Sequence, residues 1–350
     1  MPANHPSRAG LLLAALLIFT ACRVESVAPG GAQPMAASNA DAPSGELWVY
    51  TSMYRQVIDA LDPLLKERLP DVTLHWYQAG SEKVASRLEA ERAAGAIRAD
   101  LIATSDPFLY ERLKREGALL PYASTHALRI PRELLDLDAH YAAARISTMV
   151  LVHRSDLANP PSRFAELAQP EWRGRVAIGD PLTSGTAFTW SVFMEGRYGA
   201  EFFERLRANE VVVAGGNAAV LQKVEGGEAE VGVLLLENAL AAEARGSPIR
   251  HAYPEDGAVL IPGPLAIFKT TRNPVAAKAF MDVLLSPEGQ RIIVERGDMH
   301  AVDPRLPGPR REAGLETLMP RAQPWSAALL DRGVTQGDHV KTTFTRAFSP

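Results

Sequence analysis

The feature that most constrains this chain is the recurring alternation of short, continuous apolar runs with helical segments. Runs at 47–50 (LWVY), 72–77 (VTLHWY), 99–104 (ADLIAT), 146–153 (ISTMVLVH), 176–179 (VAIG), 211–214 (VVVA), 231–236 (VGVLLL) and 263–269 (GPLAIFK) read as strands. Strands that are apolar along their whole length are covered on both faces, as in sheets flanked by helices. Helix starts are marked between them. Asp106-Pro107, Asn273-Pro274 and Ser286-Pro287 each set a capping residue before a first-turn proline. Gly117, Gly246 and Gly297 stand where helices are expected to stop. The class is α/β. At 350 residues the chain exceeds what a single core usually serves, so two lobes are expected.

The N-terminus precedes this pattern and differs from it. Arg8 is followed by an apolar run at 10–19 and then Thr20-Ala21-Cys22. The run is too short to span a bilayer, which takes about 20 apolar residues, and it has the order of a secretory signal. It resembles the bacterial lipoprotein signal, in which cleavage leaves a lipid-modified cysteine as the first mature residue. Residues 1–21 are therefore expected to be a signal peptide and Cys22 the lipidation site; ordinary cleavage with a free thiol is the alternative. Cys22 is the one cysteine, so no internal disulfide and no cysteine-rich metal site can form. Residues 22–45 are rich in Ala, Gly, Pro and Ser with few large apolar side chains, and read as a flexible tether.

Small polar residues gather where strands hand over to helices. Thr51, Ser52 and Tyr54 follow the first strand, Ser81 the second, and Ser105 and Asp106 the third. Ser184, Gly185 and Thr186 follow the strand at 176–179, Asn217 the next, and Glu237 and Asn238 the run at 231–236. Ligands of open α/β sheets bind beyond the carboxyl ends of the strands, where helix N-termini present free N–H groups suited to an oxyanion. These twelve residues are the candidate binding site. Each cluster also has a plainer reading, because Ser, Thr, Asp and Asn are the preferred capping residues. Asp106 before Pro107 fits a cap as well as a ligand contact.

Other chemistries are poorly represented. A formal charge of −4 gives no electrostatic reason to bind nucleic acid. There is no phosphate-loop lysine motif, no nucleophile elbow and no His-Glu-x-x-His, and the eight histidines never pair at i, i+4. No catalytic set and no cofactor is expected. A secreted hydrolase using Ser184 would need a general base that the neighbouring sequence does not offer.

Several segments together resemble the periplasmic solute-binding proteins of ABC importers, in the branch that holds ferric-ion, thiamine, phosphonate and phosphoglycerate binders. They are 47–54 (LWVYTSMY), 99–108 (ADLIATSDPF), 179–189 (GDPLTSGTAFT), 217–228 (NAAVLQKVEGGE) and 273–290 (NPVAAKAFMDVLLSPEGQ). The resemblance implies a two-lobed, type II binding-protein fold with two hinge crossings, near 146–153 and 259–267. It implies a first lobe from 46–146 plus 262–350 with the C-terminal helices, and a second lobe from 147–261. It implies a monomer outside the cytoplasm that hands a small solute to a membrane permease, or a sensor that reports to a two-component kinase. In the family's ferric binders two adjacent tyrosines follow the strand matching 231–236, with a carboxylate in the turn matching 104–106 and a His or Tyr in the first turn. Here Tyr54 and Asp106 fit that set, but Glu237-Asn238 replaces the tyrosine pair and removes hard anionic ligands suited to ferric iron. The expected cargo is a phosphonate- or organophosphate-type anion or zwitterion. The alternative is ferric iron held by Tyr54, Asp106 and Glu237.

Overall fold

All eight apolar runs form strands, and two short strands join them. The computed structural model describes residues 42–348; the signal segment, Cys22 and the tether as far as residue 41 lie outside the described residues. In chain order the elements are β1 (Gly45–Thr51), α1 (Arg55–Arg68), β2 (Val72–Gln78), α2 (Ser81–Ala93), β3 (Leu101–Ala103), α3 (Pro107–Arg115), β4 (Leu119–Leu120) and β5 (Tyr141–Arg154). They continue with β6 (Val176–Gly179), α4 (Gly185–Tyr198), α5 (Glu201–Ala208), β7 (Val212–Ala214), α6 (Asn217–Glu225), β8 (Val231–Leu235), α7 (Leu236–Ala244) and β9 (Ile249–Ala252). The last are β10 (Val259–Phe268), α8 (Pro274–Leu285), α9 (Pro287–Gly297), α10 (Leu315–Leu318), α11 (Ala327–Thr335) and α12 (Gly337–Phe348). The expected tether thus gives way to β1 at Gly45, whose N–H donates to Asp71 O at 3.0 Å.

The fold is α/β and two-lobed. One curled sheet runs in the order β2-β1-β3-β10-β5-β8-β6-β7, with β4 on β10 and β9 on β5. Strands β1, β2 and β3 are mutually parallel, as are β6, β7 and β8. The two long strands β5 and β10 run antiparallel through the middle and join the two parallel groups. Apolar clusters cover both faces of each group. Leu47, Val57, Ile146 and Phe280 lie on one face of the first and Tyr50, Leu88, Ile102 and Phe268 on the other. Trp190, Phe203 and Val233, then Val220, Leu234 and Ala239, do the same for the second.

Helix boundaries follow local chemistry. Asp106 and Ser286 cap α3 and α9 with their side chains. Asn273 does not cap α8; its Nδ2 donates instead to Glu46 O at 2.7 Å. Gly117 and Gly246 take the left-handed conformation after α3 and α7, as expected. At the end of α9 the left-handed residue is Asp298, one position beyond Gly297, with its carboxylate accepting from Arg310 Nε at 2.7 Å.

The last two helices bind to both parallel groups. Asp331 of α11 pairs with Arg115 of α3 at 2.9 Å, while Arg332 pairs with Glu195 of α4 at 2.8 Å. Lys341 of α12 pairs with Glu82 of α2 at 3.2 Å, and Phe344 packs edge-on against Phe203 of α5. Gly333 lies flat on the ring of Phe108, where any Cβ would overlap the ring. Gly333→Ala is therefore expected to destabilise the fold by about 1–3 kcal/mol through overpacking, read as a lowered midpoint in urea unfolding.

Candidate functional site

The strand-end clusters converge on one cavity of about 230 Å³. Ten of the twelve expected residues line it: Ser52, Tyr54, Ser81, Ser105, Ser184, Gly185, Thr186, Asn217, Glu237 and Asn238. The first turns of α2, α4, α6 and α7 all border it, so helix N-termini surround the space and favour negative charge within it. Gly185 makes this convergence possible. A Cβ there would stand 2.9 Å from Ser81 Cβ and 3.3 Å from Asp106 Cβ, so the start of α4 can approach α2 closely only as glycine.

The polar walls are organised by hydrogen bonds among the lining residues. Ser184 accepts from Ala187 N at 3.3 Å and shares a 3.1 Å bond with Thr186 Oγ1. Asn217 Nδ2 donates to the same Thr186 oxygen at 3.0 Å. Ser81 Oγ accepts from Ser105 N at 3.2 Å. Tyr54 spans the cleft, its hydroxyl donating to Asn238 Oδ1 at 2.9 Å. Burial pushes the Tyr54 phenol upward, and the Glu237 charge adds to that. The phenol therefore stays protonated at neutral pH.

Two expected residues do not face the cavity. Thr51 is fully buried; its hydroxyl donates to Ala103 O at 2.8 Å and accepts from Met53 N at 3.0 Å, which ties β1 to β3. Asp106 has its carboxylate oriented into its own helix, accepting from Phe108 N at 3.1 Å and Leu109 N at 3.3 Å. It borders a separate hollow with Glu82, Arg112 and Lys341. Burial, with the nearby Glu82 charge, pushes its carboxyl up to about 6. Of the expected ferric set, Tyr54 and Glu237 line the cavity and Asp106 does not. Among the described residues no group of three or more His, Cys, Asp or Glu could hold a metal ion.

The sequence reading missed the most consequential lining residue. Arg145 is 1% exposed and lies on β5, just before the run that marked the strand. Its Nη2 donates to Ser52 Oγ and Ser105 Oγ, both at 3.1 Å, and its Nη1 has no protein partner. The facing residue on β10 is Gly263, next to a break in register. A Cβ at Gly263 would stand 2.8 Å from Arg145 Cγ and 2.9 Å from Cζ, so the side chain lies in the space a glycine leaves. Burial pulls the guanidinium pKa down, opposed by its electrostatic interactions with Tyr110, Glu237 and Tyr54. Ser147, two residues on, and Met299 also line the cavity. The available signal was an arginine inside a run of small and apolar residues, 141–147 (YAAARIS), where a charge has no place unless it is used.

Among the described residues, Arg145 and Glu237 are the base and the acid that line the cavity. Glu237, 4% exposed, accepts from Ser147 Oγ at 2.7 Å through Oε1, and Oε2 has no partner. Burial pushes its carboxyl up to about 7, with Asp298 adding to the rise, against the Ser147 hydrogen bond and the Arg145 charge.

Residues 47–297 match the family of bacterial extracellular solute-binding proteins. The chain belongs to that family. The family is non-catalytic, and its general role is to capture a solute for an ABC importer outside the cytoplasmic membrane. The Ser184 hydroxyl bonds to Thr186 Oγ1 and Ala187 N. An uncharacterized protein of Haemophilus influenzae is 26% identical over 75% of this chain and 80% of its own length. The phosphoglycerate transport regulatory protein PgtC of Salmonella typhimurium is 27% identical over 58% of this chain and 53% of its own, so only about half of that protein is matched. The solved fold is shared with the substrate-binding protein of an ABC transporter from Agrobacterium tumefaciens (TM-score 0.77, 20% identity, 89% of this chain and 96% of that one). It is shared also with iron-bound HitA of Pseudomonas aeruginosa (0.75, 17%, 86% and 99%). AfuA of Actinobacillus pleuropneumoniae, with fructose-6-phosphate bound, is similar too (0.76, 20%, 87% and 98%).

The buried carboxyl carries a pH signature. A carboxyl raised from an ordinary 4.5 to about 7 binds more protons folded than unfolded, so it favours the folded state at low pH. That contribution is lost as the pH climbs from 4.5 through 7. Glu237→Gln is expected to raise the stability of the unliganded protein at pH 8 by about 1–3 kcal/mol relative to wild type, and by far less near pH 4.5. Urea melts at the two pH values measure it.

Proposed function

We propose that this protein captures a small phosphonate- or organophosphate-type anion or zwitterion in its interlobe cavity and delivers it to an inner-membrane permease. The observation that carries the reading is the buried guanidinium of Arg145, half satisfied by Ser52 and Ser105 and half free, among converging helix N-termini. A planar guanidinium with free N–H groups suits a tetrahedral oxyanion. The hydroxyls of Ser52, Ser81, Ser105, Ser184 and Thr186, with the amide of Asn217, supply further donors around the same space. PgtC of Salmonella and fructose-6-phosphate-bound AfuA are relatives whose names carry phosphorylated solutes. In this reading the chain acts as a monomer tethered through lipid on Cys22, with lobes of 46–146 plus 262–350 and of 147–261.

A second reading is ferric iron. The comparisons, weighed by number, favour it over the organophosphorus reading, since most of the similar solved structures are ferric-iron binders, HitA among them. Against it stand the single tyrosine in the lining and the capping role of Asp106. A sensor function for a two-component kinase would use the same cavity. Growth tests on a deletion strain separate the two: loss of uptake marks transport, and loss of induced transcription alone marks sensing.

A thermal-shift panel of the mature chain tests the cargo with phosphonates, sugar phosphates, thiamine and ferric citrate. A true ligand at about 100 times its dissociation constant adds about 2.7 kcal/mol to stability. Arg145→Met is expected to fold, because Arg145 bonds to the hydroxyls of Ser52 and Ser105 rather than to a carboxylate, so its removal breaks no ion pair. It is expected to lose the anion response by about 100-fold or more in affinity. A shift with ferric citrate alone, accompanied by a tyrosinate charge-transfer colour, overturns the anion reading in favour of iron.

A further inference from the structure

Two charged groups in the cavity are each half used. Arg145 and Ser147 are two residues apart on β5 and so project from the same face of the strand. Arg145 gives Nη2 to the hydroxyls of Ser52 and Ser105 and keeps Nη1 without a partner. Ser147 gives its hydroxyl to Glu237 Oε1, and Glu237 keeps Oε2 without a partner. Both residues are more than nine-tenths buried, and both line the one cavity. Buried polar atoms in folded proteins are nearly always paired, and charged ones are the costliest to leave alone. The two free atoms do not satisfy each other. Each is instead held by its own anchors, so neither is at liberty to swing toward a different partner without breaking a hydrogen bond.

An anion alone would satisfy Nη1 and leave Oε2 stranded beside a second negative charge. A cation alone would do the reverse. We propose that the solute carries both complements in one small molecule, a phosphonate or phosphate oxygen for Arg145 and an ammonium or hydroxyl donor for Glu237. This rests on the anion reading above and narrows it. A cavity of about 230 Å³ keeps the two functions on a short spacer.

Calorimetry on the mature chain at pH 8 tests this with four probes: inorganic phosphate, ethylphosphonate, 2-hydroxyethylphosphonate and 2-aminoethylphosphonate. At least one of the two substituted phosphonates is expected to bind about tenfold or more tighter than ethylphosphonate. Glu237→Gln is expected to erase that advantage, and Arg145→Met to weaken all four. Equal binding of ethylphosphonate and both substituted compounds, or an advantage that survives Glu237→Gln, overturns the two-pole inference and leaves the anion reading standing. Failure of all four probes together with binding of ferric citrate overturns both.

Discussion

The structure is organised around a buried guanidinium. Taking an ion of this kind out of water costs several kcal/mol unless hydrogen bonds and opposite charge replace its hydration. Around Arg145 that replacement is incomplete by one side of the fork, and the surrounding backbone has been shaped to allow it. Gly263 clears the facing strand, a break in the β5–β10 register follows, and the hydroxyls of Ser52 and Ser105 reach the side chain from the ends of β1 and β3. Four strands therefore meet at one charge, and they include the two long strands that link the parallel halves of the sheet.

Capping chemistry and ligand chemistry draw on the same residues, and the fold decides between them by orientation. Ser184 both caps α4 and faces the cavity, because its helix starts beside the cleft. Asp106 caps α3 with a carboxylate oriented away from the cavity and into its own helix. Thr51 spends its hydroxyl on the backbone of β3. Composition could not separate these three cases, since each residue is a good capping or strand-end residue in sequence.

Much of the architecture was legible because it depends on local pattern. Apolar runs long enough to be covered on both faces became strands, and Asp and Ser before proline became helix starts. Of the strands that escaped, β4 is two residues long, too short for a pattern to register, and β9 (IRHA) is interrupted by Arg250 and His251, so it makes no continuous apolar run. The hollow itself was also legible, since strand ends in α/β sheets point to one place. Arg145 was not. It stands one residue before the run read as a strand, and its value comes from Gly263, more than a hundred residues later. Pairing between β5 and β10 is a tertiary fact, and no local propensity encodes it.

That placement bears on how capture and closure relate. The walls of the cavity come from helix starts that follow strands of both parallel groups, and contacts such as Tyr54 to Asn238 and Gly185 against Ser81 draw those groups together. Arg145 and Ser147 instead stand on a strand that runs through the middle of the sheet, and Glu237 is bonded to that strand. If the lobes swing about the crossing strands, the charged poles and the Ser52 and Ser105 hydroxyls bonded to Arg145 move least, and the hydroxyls of Ser184 and Thr186 move most. Selection by charge would then precede enclosure by hydroxyls. A solute lacking one pole would leave a buried charge unpaired only once the walls had closed over it, so closure itself would discriminate against it.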